Sequence, residues 1–173
     1  MATSRTIALG AGGGAMTLLG TATVAGAAAT TLTLSGLDLS LYKAFEITGS
    51  LDNATASQSI ISCFFNADTT ATNYDNENSR FNGATITAGR SNANSFAVLE
   101  ASSECVFWGK ILNDANGKPS AFASQRSLQT TTLETRFLCC MWRTAANVTS
   151  ITLSGSVASS LAIGSTFSVW GIV

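Results

Sequence analysis

The chain has 173 residues, of which 11% are charged, and its nine Lys and Arg nearly balance its ten Asp and Glu for a net charge of −1. This balance excludes the basic stripe that binds nucleic-acid phosphates. The chain contains no histidine, so Ser-His-Asp and Cys-His catalytic arrangements cannot form. We therefore expect neither an enzyme nor a cofactor, and we interpret the sparsely charged surface as that of a subunit in a larger assembly.

Residues 1–29 are rich in Gly and Ala and carry one charge, Arg5. Three interpretations are open: a secretory signal peptide, a dinucleotide-binding loop, and an extended arm that lies on a neighbouring subunit. Glycines interrupt the apolar middle that a signal needs, and no acidic residue has the spacing of a dinucleotide site. We favour the arm. Its expected partner-binding residues are Arg5, Ile7, Leu9, Met16, Leu18 and Leu19.

From residue 30 onward apolar residues recur with period two, which is typical of half-buried β-strands. Residues 30–42 alternate Leu with polar residues and change register at Gly36, which predicts two strands or one bulged strand. Further strands are predicted within 43–51, 57–68, 84–89, 95–102, 103–112, 133–144, 150–155 and 166–173. No stretch has helical periodicity with caps or the length of a transmembrane helix, so we expect no membrane partner.

Many short strands separated by turn residues predict an all-β fold. We expect an antiparallel β-sandwich of the jelly-roll type over residues 30–173, with an extended N-terminal arm over residues 1–29. Aromatic residues are expected to form the core, on strands that face each other across the two sheets: Phe107 with Trp108, Phe137 with Trp142, and Phe167 with Trp170. An exposed Trp108 that stacks on carbohydrate is the alternative for that residue.

Four cysteines occur without a CxxC pair, which argues against structural zinc. Cys139 and Cys140 are adjacent and should point to opposite faces of a strand. We predict reduced, buried thiols, with disulfides as the alternative.

The segment 66–78 contains three carboxylates, those of Asp68, Asp75 and Glu77. They are the best candidates for a calcium site or for a pair that cleaves glycosides. Asn- and Asp-rich stretches are also common in turns. We favour a turn-capping role and predict neither catalytic nor metal-binding residues.

Two segments resemble a family of tailed-bacteriophage virion proteins. In that family a strand ends in an F-N-G-D-like turn followed by N-Y, and a C-terminal motif reads ITSI-x-L, a spacer and G-S-x-F-x-L-Y-G-[IV]. The first part is matched by Asn66, Asp68, Asn73 and Tyr74, with Ala67 in place of the glycine. The second part is matched by Trp142, Thr149, Ser150, Ile151, Leu153, Gly164, Ser165, Phe167, Gly171 and Ile172, with Val169 and Trp170 in place of Leu-Tyr.

The resemblance covers roughly residues 30–173 and implies a jelly-roll module of the virion that usually forms a homotrimer. It implies no catalytic residues. Together with the predicted arm, it leads us to expect a capsid decoration (cement) protein, located on the outer capsid surface and bound to the major capsid protein. The alternative is a tail-fibre or receptor-binding module that recognises host surface glycan.

Overall fold

The structure is a computed structural model that describes residues 6–7, 15–82, 85–91, 94–129 and 132–173. Within these residues, thirteen strands form two antiparallel sheets that pack together, and two short 3-10 turns cover Leu39–Leu41 and Ala71–Asn73. The predicted all-β sandwich is therefore confirmed.

The strands follow one another closely along the chain. Their bounds are β1 Thr6–Ile7, β2 Met16–Thr23, β3 Thr31–Ser35, β4 Ala44–Asp52, β5 Ser59–Phe65, β6 Tyr74–Asn82, β7 Thr85–Ser91, β8 Ser95–Leu99, β9 Glu104–Asn113, β10 Pro119–Gln129, β11 Thr132–Trp142, β12 Ser150–Gly155 and β13 Thr166–Ile172. In the described part of the chain, the large sheet has the order β1-β2-β13-β4-β9-β10-β11-β6-β7 and the small sheet the order β3-β12-β5-β8.

Eight of these strands pass from one sheet to the other along the chain, except that β5 and β8 follow each other in the small sheet. They lie in the orders β2-β13-β4-β9 and β3-β12-β5-β8, which is the arrangement of a jelly roll. The hairpin β6–β7 is inserted between β5 and β8, and the hairpin β10–β11 between β9 and β12. Both hairpins add to the large sheet beyond β9, so that sheet is much wider than the small one.

The core lies between the sheets, where alternate residues of each strand point inward. Phe45 and Ile47 of β4 and Phe65 of β5 are fully buried there. Burial of each such side chain stabilises the fold by about 1.5–3 kcal/mol. The strands that carry the three predicted aromatic pairs do not face each other, because β9, β11 and β13 all lie in the large sheet. Residues one, three or five positions apart on a strand point to opposite faces, so the core receives Phe107, Trp142 and Phe167 but not Trp108, Phe137 and Trp170.

The boundary predicted between the arm and the sandwich is wrong, because residues 16–23 form β2 and pair with β13 inside the large sheet. Gly20 is required by close packing, and it does not indicate a flexible arm. A Cβ at this position would lie 2.8 Å from Leu34 Cδ1. Residues 1–5 and 8–14 of the predicted arm lie outside the described residues.

Two further predictions differ from the structure. The stretch after Gly36 forms the 3-10 turn Leu39–Leu41 and not a second strand, because Gly36 takes a positive φ of 78° and Asp38 caps the turn by accepting a bond from Ser40 N. Strands β6 and β10 were not predicted at all, since their inward positions carry mostly small or polar residues.

Candidate functional site

The two segments that resemble phage virion proteins meet in the structure around Asp68. Its Oδ2 accepts hydrogen bonds from Trp142 Nε1 at 2.8 Å and from Asn73 Nδ2 at 2.9 Å, and its Oδ1 accepts one from Thr70 N at 3.1 Å. The Asn73 bond, then the Trp142 bond, hold the pKa of Asp68 below its usual value. Asp68 therefore fastens the turn after β5 to the end of β11.

The buried side chain of Tyr74 also contributes to this junction between the turn after β5 and the end of β11. Its hydroxyl accepts a hydrogen bond from Phe65 N at 3.0 Å and donates one to the Asp68 carbonyl at 2.9 Å. The ring of Tyr74 stacks on that of Trp142 with centroids 6.4 Å apart. Burial raises the pKa of the Tyr74 hydroxyl, which stays protonated.

Asn66 connects the same turn to the start of β12. Its Oδ1 accepts hydrogen bonds from Thr149 N at 2.8 Å and Ser150 N at 3.2 Å. Asn66 and Ala67 are the central residues of the turn closed by Asp68 N and the Phe65 carbonyl, and both have positive φ, 52° and 58°. Two left-handed residues are typical of type I′ turns, in which glycine is the favoured residue at the position of Ala67.

The C-terminal motif residues also have packing roles. Gly164 takes a φ of 93° in the turn before β13, and the Ser165 hydroxyl accepts a bond from Asp52 N at 3.0 Å. Phe167 is fully buried, as are Ile151 and Leu153 of β12, whereas Trp170 points outward and is half-buried. These residues thus contribute hydrogen bonds and buried side chains to the sandwich.

The three carboxylates of segment 66–78 do not converge. Asp68 lies in the turn, while Asp75 pairs with Arg143 at 2.7 Å and Glu77 with Arg90 at 3.9 Å. In the described ranges no three His, Cys, Asp or Glu residues lie together as a metal site would require.

A buried ion network holds the added hairpins to the sandwich. Glu134, which is inaccessible to solvent, accepts from Arg80 Nε at 2.5 Å and from Arg136 Nε. Arg136 also reaches Glu100 Oε1 at 3.1 Å at the end of β8. The network thus joins β6 and β11 of the large sheet to the residue that follows β8 in the small sheet.

That outer face carries a diagonal row of exposed apolar side chains, which we call the aromatic ridge: Phe122, Phe137, Phe81 and Ile86. Ring centroids of Phe122 and Phe137 are 6.3 Å apart, and those of Phe137 and Phe81 are 5.8 Å apart. Ile86 on β7 is paired in register with Phe81 on β6. Phe122 is 41% exposed and Ile86 is 68% exposed. The ridge therefore runs unbroken from β10 to the edge strand β7.

A groove lies on each side of the ridge. The edge groove has a volume of about 490 Å³ and is lined by Glu77, Ser79, Ala88, Arg90, Phe137 and Cys139. The tryptophan groove has a volume of about 390 Å³ and is lined by Val106, Trp108, Ser124, Arg126 and Thr135. Small side chains form the floors of the two grooves. In the edge groove Ser79 of β6 is paired with Ala88 of β7, and in the tryptophan groove Ser124 of β10 is paired with Trp108 of β9.

Charged side chains near the ridge have counter-charges beside them. Glu77 and Arg90 form the ion pair named above, and Lys110 lies directly opposite Glu46 in the pairing of β4 with β9. The Nζ of Lys110 is also 5.8 Å from the centroid of Trp108. Toward β2, Thr and Ser hydroxyls bond across strands, as in Thr21 to Ser168 at 2.7 Å. The face as a whole is apolar at one side and neutral and polar at the other.

The predicted partner-binding residues of the arm lie in different parts of the structure. Arg5 and Leu9 lie outside the described residues. Ile7 belongs to β1 and is paired with Met16, and Leu18 is paired with Trp170. Leu19 lies at the bulge between β2 and β13 and packs against the core of its own domain. Leu19 is therefore removed from the set of partner contacts.

Among the four cysteines, all of which lie in the described ranges, Cys63, Cys105 and Cys140 are buried, Cys139 is exposed, and none forms a disulfide. Adjacent Cys139 and Cys140 point to opposite faces, as predicted. Burial raises the pKa of Cys105 and of Cys140 to about 12. Cys139, in the edge groove, is thus the accessible thiol.

Sequence reasoning missed Phe81, Phe122 and Ile86 as surface residues. Each is a single large apolar residue in an otherwise polar or small stretch, and that isolation is the signal that could have marked them.

No known protein family, curated protein or solved structure matches the chain. In the part of the chain that the structure describes, no helix has the length and apolar character needed to cross a membrane.

Proposed function

We propose that this chain is a non-enzymatic structural protein of a tailed-phage virion, a decoration protein that binds the major capsid protein on the outer surface of the head and stabilises it. The outer face of the large sheet exposes a continuous apolar ridge, and large exposed apolar surfaces of this kind mark sites of association with other proteins. This ridge supports a role as a subunit of an assembly. The observation that carries the capsid contact itself is the open edge of β2.

The assignment to a virion depends on the resemblance of residues 64–74 and 141–173 to phage virion proteins. In the structure the matched residues Asp68, Tyr74 and Trp142 contact one another. Residues that depend on each other in one junction are expected to occur together in proteins that share a fold. Such a set carries information about architecture and not about catalysis.

We assign the capsid contact to the N-terminal edge of the large sheet. Strand β1 pairs with Met16 and Thr17 only, so among the described residues nothing covers the outer edge of β2 from Leu18 to Thr23. An extended segment of a capsid subunit can add to such an edge through backbone hydrogen bonds. Residues 1–14 precede β2 and would contribute further contacts at the same place.

The test uses capsids that lack this protein, mixed with the purified chain. Wild-type protein is expected to co-sediment with the capsids and to raise the temperature at which they open. A variant without residues 1–14, which retains β2 and every jelly-roll strand, is expected to bind at least tenfold more weakly. Failure of the wild-type protein to bind heads, or binding to isolated tails instead, would contradict the proposal.

A receptor-binding module for host glycan is the second candidate, and the exposure of Trp108 favours it. This side chain is 41% exposed beside Arg126 in the tryptophan groove. An aromatic ring with polar neighbours can stack on a sugar and bond its hydroxyl groups. Binding on a glycan array that Trp108→Ala abolishes, and that Ile163→Ala leaves intact, would favour this function over head decoration.

A further inference from the structure

We infer that the aromatic ridge and the edge groove form the contact through which two copies of this chain associate. The inference concerns the purified protein and does not depend on the proposed place in a virion. It assigns the outer face to a second copy, while the capsid contact is assigned to the edge of β2.

The shape of the face is self-complementary. The ridge of Phe122, Phe137 and Phe81 lies directly beside the edge groove, which is floored by Ser79 and Ala88. In a two-fold pair the same patch is used by both partners. The ridge of each copy then enters the edge groove of the other, so aromatic rings pack over small side chains in both directions.

The charge distribution of the ridge and the edge groove favours a partner that carries little net charge. In the edge groove Glu77 is paired with Arg90 at 3.9 Å. A docking partner therefore meets no unmatched charge in that groove. Arg126 lies in the tryptophan groove, across the ridge from the groove that receives the partner. A second copy of this chain, with a net charge of −1, meets this condition.

The area is that of a weak, concentration-dependent pair. The ridge and the edge groove lie on the four strands β6, β7, β10 and β11, which are spaced about 4.8 Å apart and present about seven residues each, for a face of about 19 Å by 24 Å. The contact then covers at most about 460 Å² of each copy. This is slightly less than the roughly 500 Å² per partner of a stable interface and is typical of a transient one.

The experiment compares purified full-length variants by size-exclusion chromatography with light scattering over a range of concentrations. Phe122→Lys places a charge on the ridge. Ile60→Lys is the matched control, because Ile60 is also 41% exposed but lies on β5 in the small sheet. Circular dichroism and thermal unfolding establish that both variants are folded.

Wild-type protein is expected to associate, and Phe122→Lys to raise the dissociation constant about 30-fold or more, as for the loss of a central aromatic contact. Ile60→Lys should change it less than about threefold. The Cys139 thiol lies in the edge groove, so maleimide should modify it more slowly in wild-type protein at concentrations at which it associates than after dilution to the monomer.

Three results would overturn the inference. They are a wild-type protein that stays monomeric, equal weakening of association by both substitutions, and Cys139 labelling that is unaffected by association. If Phe122→Lys keeps its association but no longer binds capsids, the face docks the capsid, so the inference fails while the proposed function stands. If the variants associate as the inference predicts but wild-type protein does not bind capsids, the proposed function is wrong and the inference stands.

Discussion

The indole nitrogen of Trp142 donates to Asp68 Oδ2 at 2.8 Å, across 74 positions of sequence. This bond joins the turn after β5 to the last residue of β11. A hydrogen bond to a charged acceptor contributes about 1.5–3 kcal/mol to stability, roughly twice a neutral one. Because this bond connects distant parts of the chain, substitutions at Asp68 and Trp142 test the fold directly.

A double-mutant cycle between Trp142→Phe and Asp68→Ala should show coupling. Each single change is expected to lower the free energy of unfolding, and the coupling energy should be about 1–3 kcal/mol because the two side chains bond directly. Urea unfolding measures all four proteins. Trp108→Phe, which alters an exposed indole, serves as the control and should change stability by less than about 0.5 kcal/mol. Additive effects of the two junction substitutions would contradict the assigned bond.

Stability should depend on the charge of Asp68. Hydrogen bonds from Asn73 and Trp142 lower the pKa of this carboxyl in the folded protein, whereas it is about 3.9 in an unfolded chain. The stabilisation is therefore fully present above pH 5, and it is lost as the pH falls below about 4 toward the lower folded pKa. The difference in unfolding free energy between wild-type protein and Asp68→Asn should be constant above pH 5 and shrink below pH 4. A difference that grows on acidification would contradict this.

Ala67→Gly should stabilise the protein. Ala67 has a φ of 58°, a left-handed conformation that costs a residue with a Cβ about 1–2 kcal/mol. Glycine removes this cost but loosens the unfolded chain, so the net gain expected is about 0.5–1 kcal/mol. Ala71→Gly, in a 3-10 turn without positive φ, is the matched control and should destabilise. Thermal unfolding distinguishes the two, and a lower melting temperature for Ala67→Gly would contradict the turn geometry.

Gly171→Ala should destabilise the C-terminal strand. A Cβ at this position would lie 2.4 Å from two ring atoms of Tyr42, so the ring must move from its place beside Phe45. Overpacking of this kind costs about 1–3 kcal/mol. Gly89→Ala is the control, because a Cβ there meets nothing closer than 3.8 Å. Equal stability of the two variants would show that Tyr42 is not packed on β13.

The sequence predicted well those strands in which apolar and polar residues alternate. Strands β4, β9 and β13 lie where period two placed them, because their inward positions carry large apolar side chains. Strand β6 was missed since its inward Asn76 is polar. Its amide donates to the Ser95 and Cys139 carbonyls at 2.7 and 3.1 Å. Hydrophobic periodicity cannot detect a polar side chain that is buried by hydrogen bonding.

Strand β10 was missed for a related reason. Its inward residues include Ala121 and Ala123, which are small, and Gln125. The Gln125 side chain accepts from Val98 N at 2.7 Å and donates to the Val98 carbonyl at 2.6 Å, and so attaches β10 to β8. The aromatic ridge was not predicted for the same reason. Phe122 and Phe81 lie on one face only when β10, β11 and β6 pair in register, and two of these strands were missed.

Reconstruction by electron cryomicroscopy of virions that carry this protein tests the central claim most directly. The account predicts jelly-roll density on the outer surface of the head, with β2 directed toward the major capsid protein and the face of Phe122 and Phe137 against a neighbouring copy. Density for this chain confined to the tail would contradict head decoration.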